Sequence, residues 1–231
     1  MPTDRPRVTL QDEIVRFILD DALKPGDPLP TEVDLMSRLG SSRNSVREAL
    51  RALQALGIVD IRHGYGTFVG QASLDILHTS LVFRAGLAGE QLRIVRNLID
   101  LREVLEAGFI PVVIDRITEH DLARLDDITL RMDEVEELTG AEREFHELLY
   151  ETCDNPLLLE LIRAFWNTYQ DVEPIIHKPD EAAASIAASH SAIVALVRAR
   201  DVEKSVEAVH AHFNEVRVRL ERYETGNVAP H

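Results

Sequence analysis

Cysteine is almost absent from this sequence: Cys153 stands alone among 231 residues. One thiol excludes an intrachain disulfide framework and any CxxC metal knuckle. Long hydrophobic runs are missing as well. No stretch of about eighteen apolar residues occurs, which argues against a transmembrane helix. The first residues, Met1-Pro2-Thr3-Asp4, lack the basic-then-apolar pattern of a secretory leader, so the expected compartment is the cytoplasm. Internal repeats and low-complexity segments are also lacking. Positive charge is scarce: 25 Lys and Arg stand against 40 Asp and Glu, a net of −15. An acidic total is unlike that of a nucleic-acid binder, but a total can hide a local basic surface.

The charge is unevenly spread. Residues 1–70 carry a net of −1 and residues 71–231 a net of −14. Between Met36 and Gly70, five arginines (Arg38, Arg43, Arg47, Arg51 and Arg62) face only Glu48 and Asp60. This asymmetry implies two domains with different work, 1–70 and 71–231, divided near Gly70-Gln71-Ala72-Ser73.

Helical periodicity marks Thr9–Leu23, with Thr9 as its cap. The Pro/Gly-rich run Lys24–Pro30 cannot continue a helix. A second helix is expected over Thr31–Leu39, ended by Gly40, and a third over Ser42–Leu56. The third has two faces. Val46, Ala49, Leu50 and Leu53 share one side, while Arg43, Arg47 and Arg51, with Asn44 beside them, line the other. Guanidinium groups bind phosphates or guanine edges, and Asn pairs with adenine. Two short strands, Val59–Arg62 and Thr67–Val69, joined by His63-Gly64-Tyr65-Gly66, then form a wing. Its glycines allow close backbone approach to a groove, and His63 can reach a phosphate. The plain alternative is an amphipathic helix with a solvated Arg face before an ordinary hairpin.

The ordered set resembles a known family. Pro25-Gly26, Leu29-Pro30-Thr31-Glu32, Ser42-Arg43-Asn44-Ser45-Val46-Arg47-Glu48-Ala49-Leu50, Leu56-Gly57 and Gly64-Tyr65-Gly66-Thr67-Phe68-Val69 look like the GntR family of bacterial transcription regulators. The resemblance implies a winged helix-turn-helix, with Arg43, Asn44 and Arg47 on DNA from the recognition helix and His63 and Gly64 from the wing. It also marks a departure. The family often carries an arginine where this chain has Val33.

The remainder shows helical periodicity and almost no strand signal. About seven helices are expected, over 74–86, 90–116, 118–138, 141–153, 155–172, 180–199 and 201–224, packed as an antiparallel bundle. Breaks are expected at Gly86–Gly89, Gly140, Asp154–Pro156 and Pro174–Pro179. Thr118 and Asp201 are N-cap candidates, Asn155 is a turn and capping residue, and Pro111 is expected to kink the second span. The acidic run Asp133-Glu134-x-Glu136-Glu137 is expected to be a solvated face. The fold class is therefore mainly α.

Three histidines in this body stand out. His146 lies one helical turn after Glu142, so their side chains project from one face. His190 and His212 border apolar helix faces. One carboxylate and three imidazoles suit Zn²⁺ or another borderline divalent ion. The alternative is a set of core histidines, each satisfied by its own hydrogen bond.

Arg102-Glu103-Val104-Leu105-Glu106, Glu142-x-x-Phe145-His146, Asn155-Pro156, Ser189-His190-x-x-Ile193 and Val209-x-x-His212 resemble the FCD domain of the FadR subfamily. That resemblance implies a divalent metal (Zn²⁺ first, with Ni²⁺ or Mn²⁺ as alternatives) on His146, His190, His212 and Glu142. Glu142 stands where the family has aspartate. A metal with open positions can bind a small carboxylic-acid effector, and Arg102 can hold the same carboxylate with its planar fork. Arg102 can instead pair with Glu106, one turn later.

The expected function is a cytoplasmic DNA-binding transcription regulator, a repressor, acting as a homodimer on a two-fold operator and controlled by that effector. A dimer is expected because one recognition helix gives too little contact for specificity. An enzyme is not expected. A metal-dependent hydrolase with a DNA-binding head is the rival class, but no HExxH run, separate general base or nucleophile motif supports it. A helical body that only dimerises is the second rival.

Overall fold

The computed structural model describes residues 9–87, 90–134, 136–172 and 183–226. The chain divides into two compact units, Met1–Ile76 and Leu77–His231.

In the first unit, helices α1 (Leu10–Asp20), α2 (Glu32–Leu39) and α3 (Arg43–Ala55) precede a hairpin of β1 (Val59–Arg62) and β2 (Gly66–Val69). Each helix begins where a side chain satisfies otherwise orphaned amides. Thr9 and Thr31 form reciprocal capping boxes with Asp12 and Asp34. The Ser42 hydroxyl accepts the Ser45 N–H at 3.2 Å. Helix α1 stops three residues short of the expected Leu23, because Ala22 turns into the left-handed region at φ 52°. Gly40 closes α2 in the same conformation, which a residue without Cβ adopts cheaply. Ile14, Leu35, Val46, Leu50, Leu53 and Val59 form the core.

The hairpin is antiparallel, with Val59 opposite Val69 and Arg62 opposite Gly66. The Pro/Gly-rich segment after α1 joins it. Pro28 bridges Phe68, and the amides of Gly26 and Leu29 donate to the carbonyls of Val69 and Thr67, both at 2.8 Å. The segment that breaks the helix thus covers one edge of the wing.

The second unit holds helices α4 (Asp75–Ala85), α5 (Gln91–Arg116), α6 (Glu119–Arg131), α7 (Leu138–Glu151), α8 (Pro156–Val172), α9 (Ala183–Arg198) and α10 (Val202–Gly226). Thr118 caps α6 through a capping box with Asp121. Asp201 accepts the Lys204 N–H at 3.1 Å, and Asn155 accepts the Leu158 N–H at 3.2 Å. Helix α5 continues through Pro111, which lies on its exposed side. Among the described residues, no helix is long and apolar enough to cross a membrane.

One expected break is misplaced. Helix α6 ends at Arg131 rather than 138, and Gly140 lies inside the first turn of α7 rather than breaking the chain. Carboxylates at a helix C-terminus oppose its dipole, so the run from Asp133 to Glu137 ends α6 instead of extending it. Its described residues are exposed, as a solvated segment should be. Burial of Leu138 then draws the chain into α7 ahead of the glycine. Ala88, Gly89, the Pro174–Pro179 break and positions 180–182 of the sixth expected span lie outside the described residues.

The second core includes Ile110, Leu125, Phe145, Tyr150, Val197 and Phe213. Into it are set Arg102, Glu106, Glu142, His146, His190 and His212, all buried. Buried polar groups are costly unless partnered, so their company marks a candidate site.

Candidate functional site

Helix α3 positions the basic surface. Val46, Ala49, Leu50 and Leu53 are turned into the core, which fixes the opposite face outward. Arg43, Asn44, Arg47 and Arg51 are accordingly exposed. Arg47 lies 3.5 Å from Glu32 in a half-exposed ion pair, a contact weak enough to yield to a phosphate. His63 and Gly64 lie at the wing tip with Tyr65, which is 85% exposed. Gly64 holds φ +81°, a backbone state that costs other residues. Val33 is exposed on α2. Sequence reading passed over Tyr65 as a candidate, because a Gly-Tyr-Gly turn carries no periodicity to orient its side chain.

The second unit brings its three histidines together. His146 comes from α7, His190 from α9 and His212 from α10, and one ligand atom of each lies within 4.8 Å of the others. Phe145 packs edge-on against the rings of His146 and His190, and Phe213 against His212. Glu142 is buried on α7 beside them, with its carboxylate outside that compact set.

Hydrogen bonds assign the ring protons. His190 Nδ1–H donates to the Ile186 carbonyl at 2.7 Å. His146 Nδ1–H donates to Glu106 Oε2, also at 2.7 Å. The Ser189 hydroxyl donates to the Ile186 carbonyl, so its oxygen is left to accept a longer 3.4 Å contact from His212 Nδ1–H. Each imidazole then keeps its Nε2 lone pair. The Nε2 atoms of His146 and His190 are 3.4 Å apart. With both protons on Nδ1, nothing bridges them. Tetrahedral Zn–N bonds of about 2.0–2.1 Å place neighbouring nitrogens roughly 3.3 Å apart. Histidines that donate Nδ1–H to a carboxylate or carbonyl and offer Nε2 are oriented as metal ligands are.

Glu106 and Arg102 complete the polar core. Arg102 Nε donates to Glu106 Oε1 at 2.8 Å, so the expected alternative partner of Arg102 is present. Its guanidinium also lies 4.6 Å from the ring centre of Trp166 and 5.3 Å from that of Phe213. Arg102 Nη2 and Trp166 Nε1 are buried donors without an acceptor. Both residues line a cavity shared with Glu142, His146, His212 and Arg219. Unpaired donors at a concave site suit an anion. The sequence marked Glu106 only as a possible partner of Arg102. Trp166, the single tryptophan, carried no signal beyond its helical register.

Electrostatics keep His190 and His212 neutral. Burial disfavours a charged His190, and neighbouring His146 adds to this, lowering its pKa to about 4. Burial, then His190, holds His212 well below the ordinary range. Burial alone would raise the pKa of Glu106. Arg102 and His146 outweigh it and hold the carboxyl at about 2. Two neutral imidazoles near an ionised carboxylate suit a cation.

Comparison with known proteins finds a family match in each part of the chain. Residues 6–69 match the model described as bacterial regulatory proteins, gntR family, and residues 97–215 match the FCD domain, more than half of the chain. The chain belongs to the GntR family of transcription regulators, with an FCD domain. The HTH-type transcriptional regulator LutR of Bacillus subtilis is 33% identical over 150 residues, 63% of this chain and 67% of its own. The galactonate operon transcriptional repressor of Escherichia coli is 26% identical over 212 residues, covering 89% and 91%. The repressor NanR of Cronobacter sakazakii is 28% identical over 221 residues, covering 90% and 82%.

The solved structure titled Streptococcus agalactiae GntR shares the fold of this GntR-family chain, with a TM-score of 0.66 and 24% identity over 90% of this chain and 97% of that one. The curated relatives are transcription regulators, the class expected for this chain. GntR-family regulators bind DNA. In this member the α3 face and the wing expose arginine, asparagine and histidine side chains.

Proposed function

We propose that this GntR-family member is a cytoplasmic repressor that binds a two-fold operator as a homodimer and answers to a small carboxylic acid held in the FCD domain. Arg43, Asn44 and Arg47 read the major groove, and His63 and Gly64 approach the backbone from the wing. His146, His190 and His212 hold a divalent cation, with Zn²⁺ the best match to three imidazoles and Ni²⁺ or Mn²⁺ as alternatives. Glu142, buried one turn before His146, supplies the carboxylate ligand. When bound, the cation supplies an attractive position for an acid group.

The observation that carries this reading is the set of three buried imidazoles with one ligand atom of each within 4.8 Å of the others. Arg102 and Trp166 line the adjoining cavity, and their buried Nη2 and Nε1 donors lack an acceptor, which favours an anionic effector. Galactonate, the sugar acid named for the operon that one relative represses, belongs to that class. Helix α5 supports the homodimer. Its inner side carries Arg102 and Glu106. Its outer side exposes Leu101, Val104, Gly108 and Pro111, an apolar stripe at helical spacing. One helix therefore touches the effector cavity and offers a surface to a second copy. The effector alters operator affinity to the extent that it favours one arrangement of the dimer over another.

Elemental analysis of the purified protein, with a thermal-shift screen of small carboxylic acids before and after chelation, tests the reading. The expected result is about one transition metal per chain and acid-dependent stabilisation that disappears with the metal. Protein that takes up no Zn²⁺ after chelation and dialysis overturns the metal assignment.

A further inference from the structure

Glu106 has two oxygens and two different tasks. Oε2 accepts His146 Nδ1–H at 2.7 Å, and Oε1 accepts Arg102 Nε at 2.8 Å. The carboxylate is 1% exposed, so water does not stand in for either partner. Arg102 and Glu106 lie one turn apart on α5, and His146 approaches from α7, forty positions further along the chain. The Phe145 and Trp166 rings flank His146, and Trp166 and Phe213 flank Arg102.

We infer that Glu106 is the positioning residue that couples the candidate metal ligand His146 to the candidate effector arginine Arg102. Its Oε2 holds the proton on His146 Nδ1 and turns Nε2 toward His190 and His212. Its Oε1 holds Arg102 by Nε and leaves Nη2 without an acceptor beside the cavity that Arg102 lines. An acid that draws the guanidinium toward itself also pulls on the carboxylate that orients His146. Metal affinity and acid affinity are then linked through one side chain, and the linkage is reciprocal. The inference rests on the metal reading above, and its test separates the two.

Glu106→Gln keeps the shape and removes one acceptor. The guanidinium has only donors, so the remaining amide oxygen belongs on Arg102. The amide NH₂ then faces His146 Nδ1, which becomes an acceptor and moves the ring proton to Nε2. The expected results are a change of His146 tautomer in ¹⁵N-histidine spectra of the metal-free protein and a Zn²⁺ affinity about 10–100-fold weaker, read by competition with a chelating dye. A Glu106→Gln protein with unchanged tautomer and Zn²⁺ affinity within about two-fold of wild type overturns the inference while leaving the metal site standing.

Wild-type protein gives an independent check if the variant fails to fold. At pH 8 and without metal, His146 should carry its proton on Nδ1. A proton on Nε2 refutes the positioning role, whatever the variant does. Wild-type protein with the Nδ1 tautomer but no Zn²⁺ uptake removes the metal reading and keeps the Glu106–His146 contact.

Discussion

The two units carry their chemistry in opposite ways. In the first, Arg43, Asn44, Arg47 and His63 lie outside a core they do not enter. In the second, His146, His190, His212, Arg102 and Glu106 are built into the core itself. A surface set can change with little effect on stability, because solvated side chains hold little folding energy. A buried set cannot, because each member is held away from water by its own hydrogen-bond partner. Function and stability are therefore separable near the N-terminus and joined in the FCD domain.

Removing two imidazoles should break the comparison most widely. In a His146→Ala, His212→Ala double variant, metal content should fall from about one per chain to near none, and response to carboxylic acids should vanish. Operator binding without effector should persist, because α3 and its core contain neither residue. Full metal occupancy in the double variant sinks the histidine site. Elemental analysis and fluorescence anisotropy on operator DNA measure the two effects.

Acid should weaken the second unit before the first. His190 titrates at about 4 in the folded metal-free protein, against an ordinary 6.5. Between those values the unfolded chain binds a proton that the folded chain does not, so stability falls as pH drops below 6.5. Through Glu106, held at about 2 against 4.5, the same loss continues from pH 4.5 downward. The His190 displacement corresponds to a loss on the order of 3 kcal/mol by pH 4. In the first unit, the resolved shift among described residues is that of the exposed cap Asp12. Hydrogen exchange of metal-free protein from pH 7.5 to 5 should show amides of α9 losing protection ahead of those in α3, once intrinsic rates are corrected. Equal losses in both units contradict the assignment.

Legibility in the sequence follows the same division. The α3 face was legible because arginines four apart and apolar residues between them obey one local period, and burial of Val46 and Leu50 leaves the others no choice. The histidines could be nominated one at a time from their helix faces. Their meeting depends on the packing of α7, α9 and α10, which no local period encodes. Glu106 was visible as an i+4 partner of Arg102, but its contact with His146 spans forty positions. The end of α6 was misplaced for a different reason. A run of carboxylates suits a solvated helix face by composition, yet at a C-terminus it opposes the dipole.

A smaller effect is expected on the exposed side. Arg43→Ala or Arg47→Ala should weaken operator binding by about 1–3 kcal/mol wherever a bidentate base contact is lost. Metal content and acid-induced stabilisation should stay as in wild type. Arg47 also gives up its exposed pair with Glu32, worth at most about 1 kcal/mol. Operator affinity that survives both substitutions in folded protein rejects α3 as the reading helix.

The smallest change sharpens the comparison at a single atom. A Cβ added to Gly64 meets nothing within 4 Å, so Gly64→Ala introduces no clash in the free protein. Its φ of +81° nevertheless costs an L-residue about 1–2 kcal/mol, or a shift of the hairpin tip. That penalty acts on the first unit with or without DNA. If the wing backbone lies against a phosphate or a groove wall, the same Cβ collides there and operator affinity falls by more than a loosened tip explains. Gly26 provides the reference. It too has positive φ, +91°, and open space around it, but it lies on the segment beside β2 rather than at the turn. Matched Gly26→Ala and Gly64→Ala variants, compared by thermal melting and operator titration, should lose similar stability and unequal affinity, with Gly64→Ala the weaker binder. Equal affinities place the wing tip away from the DNA.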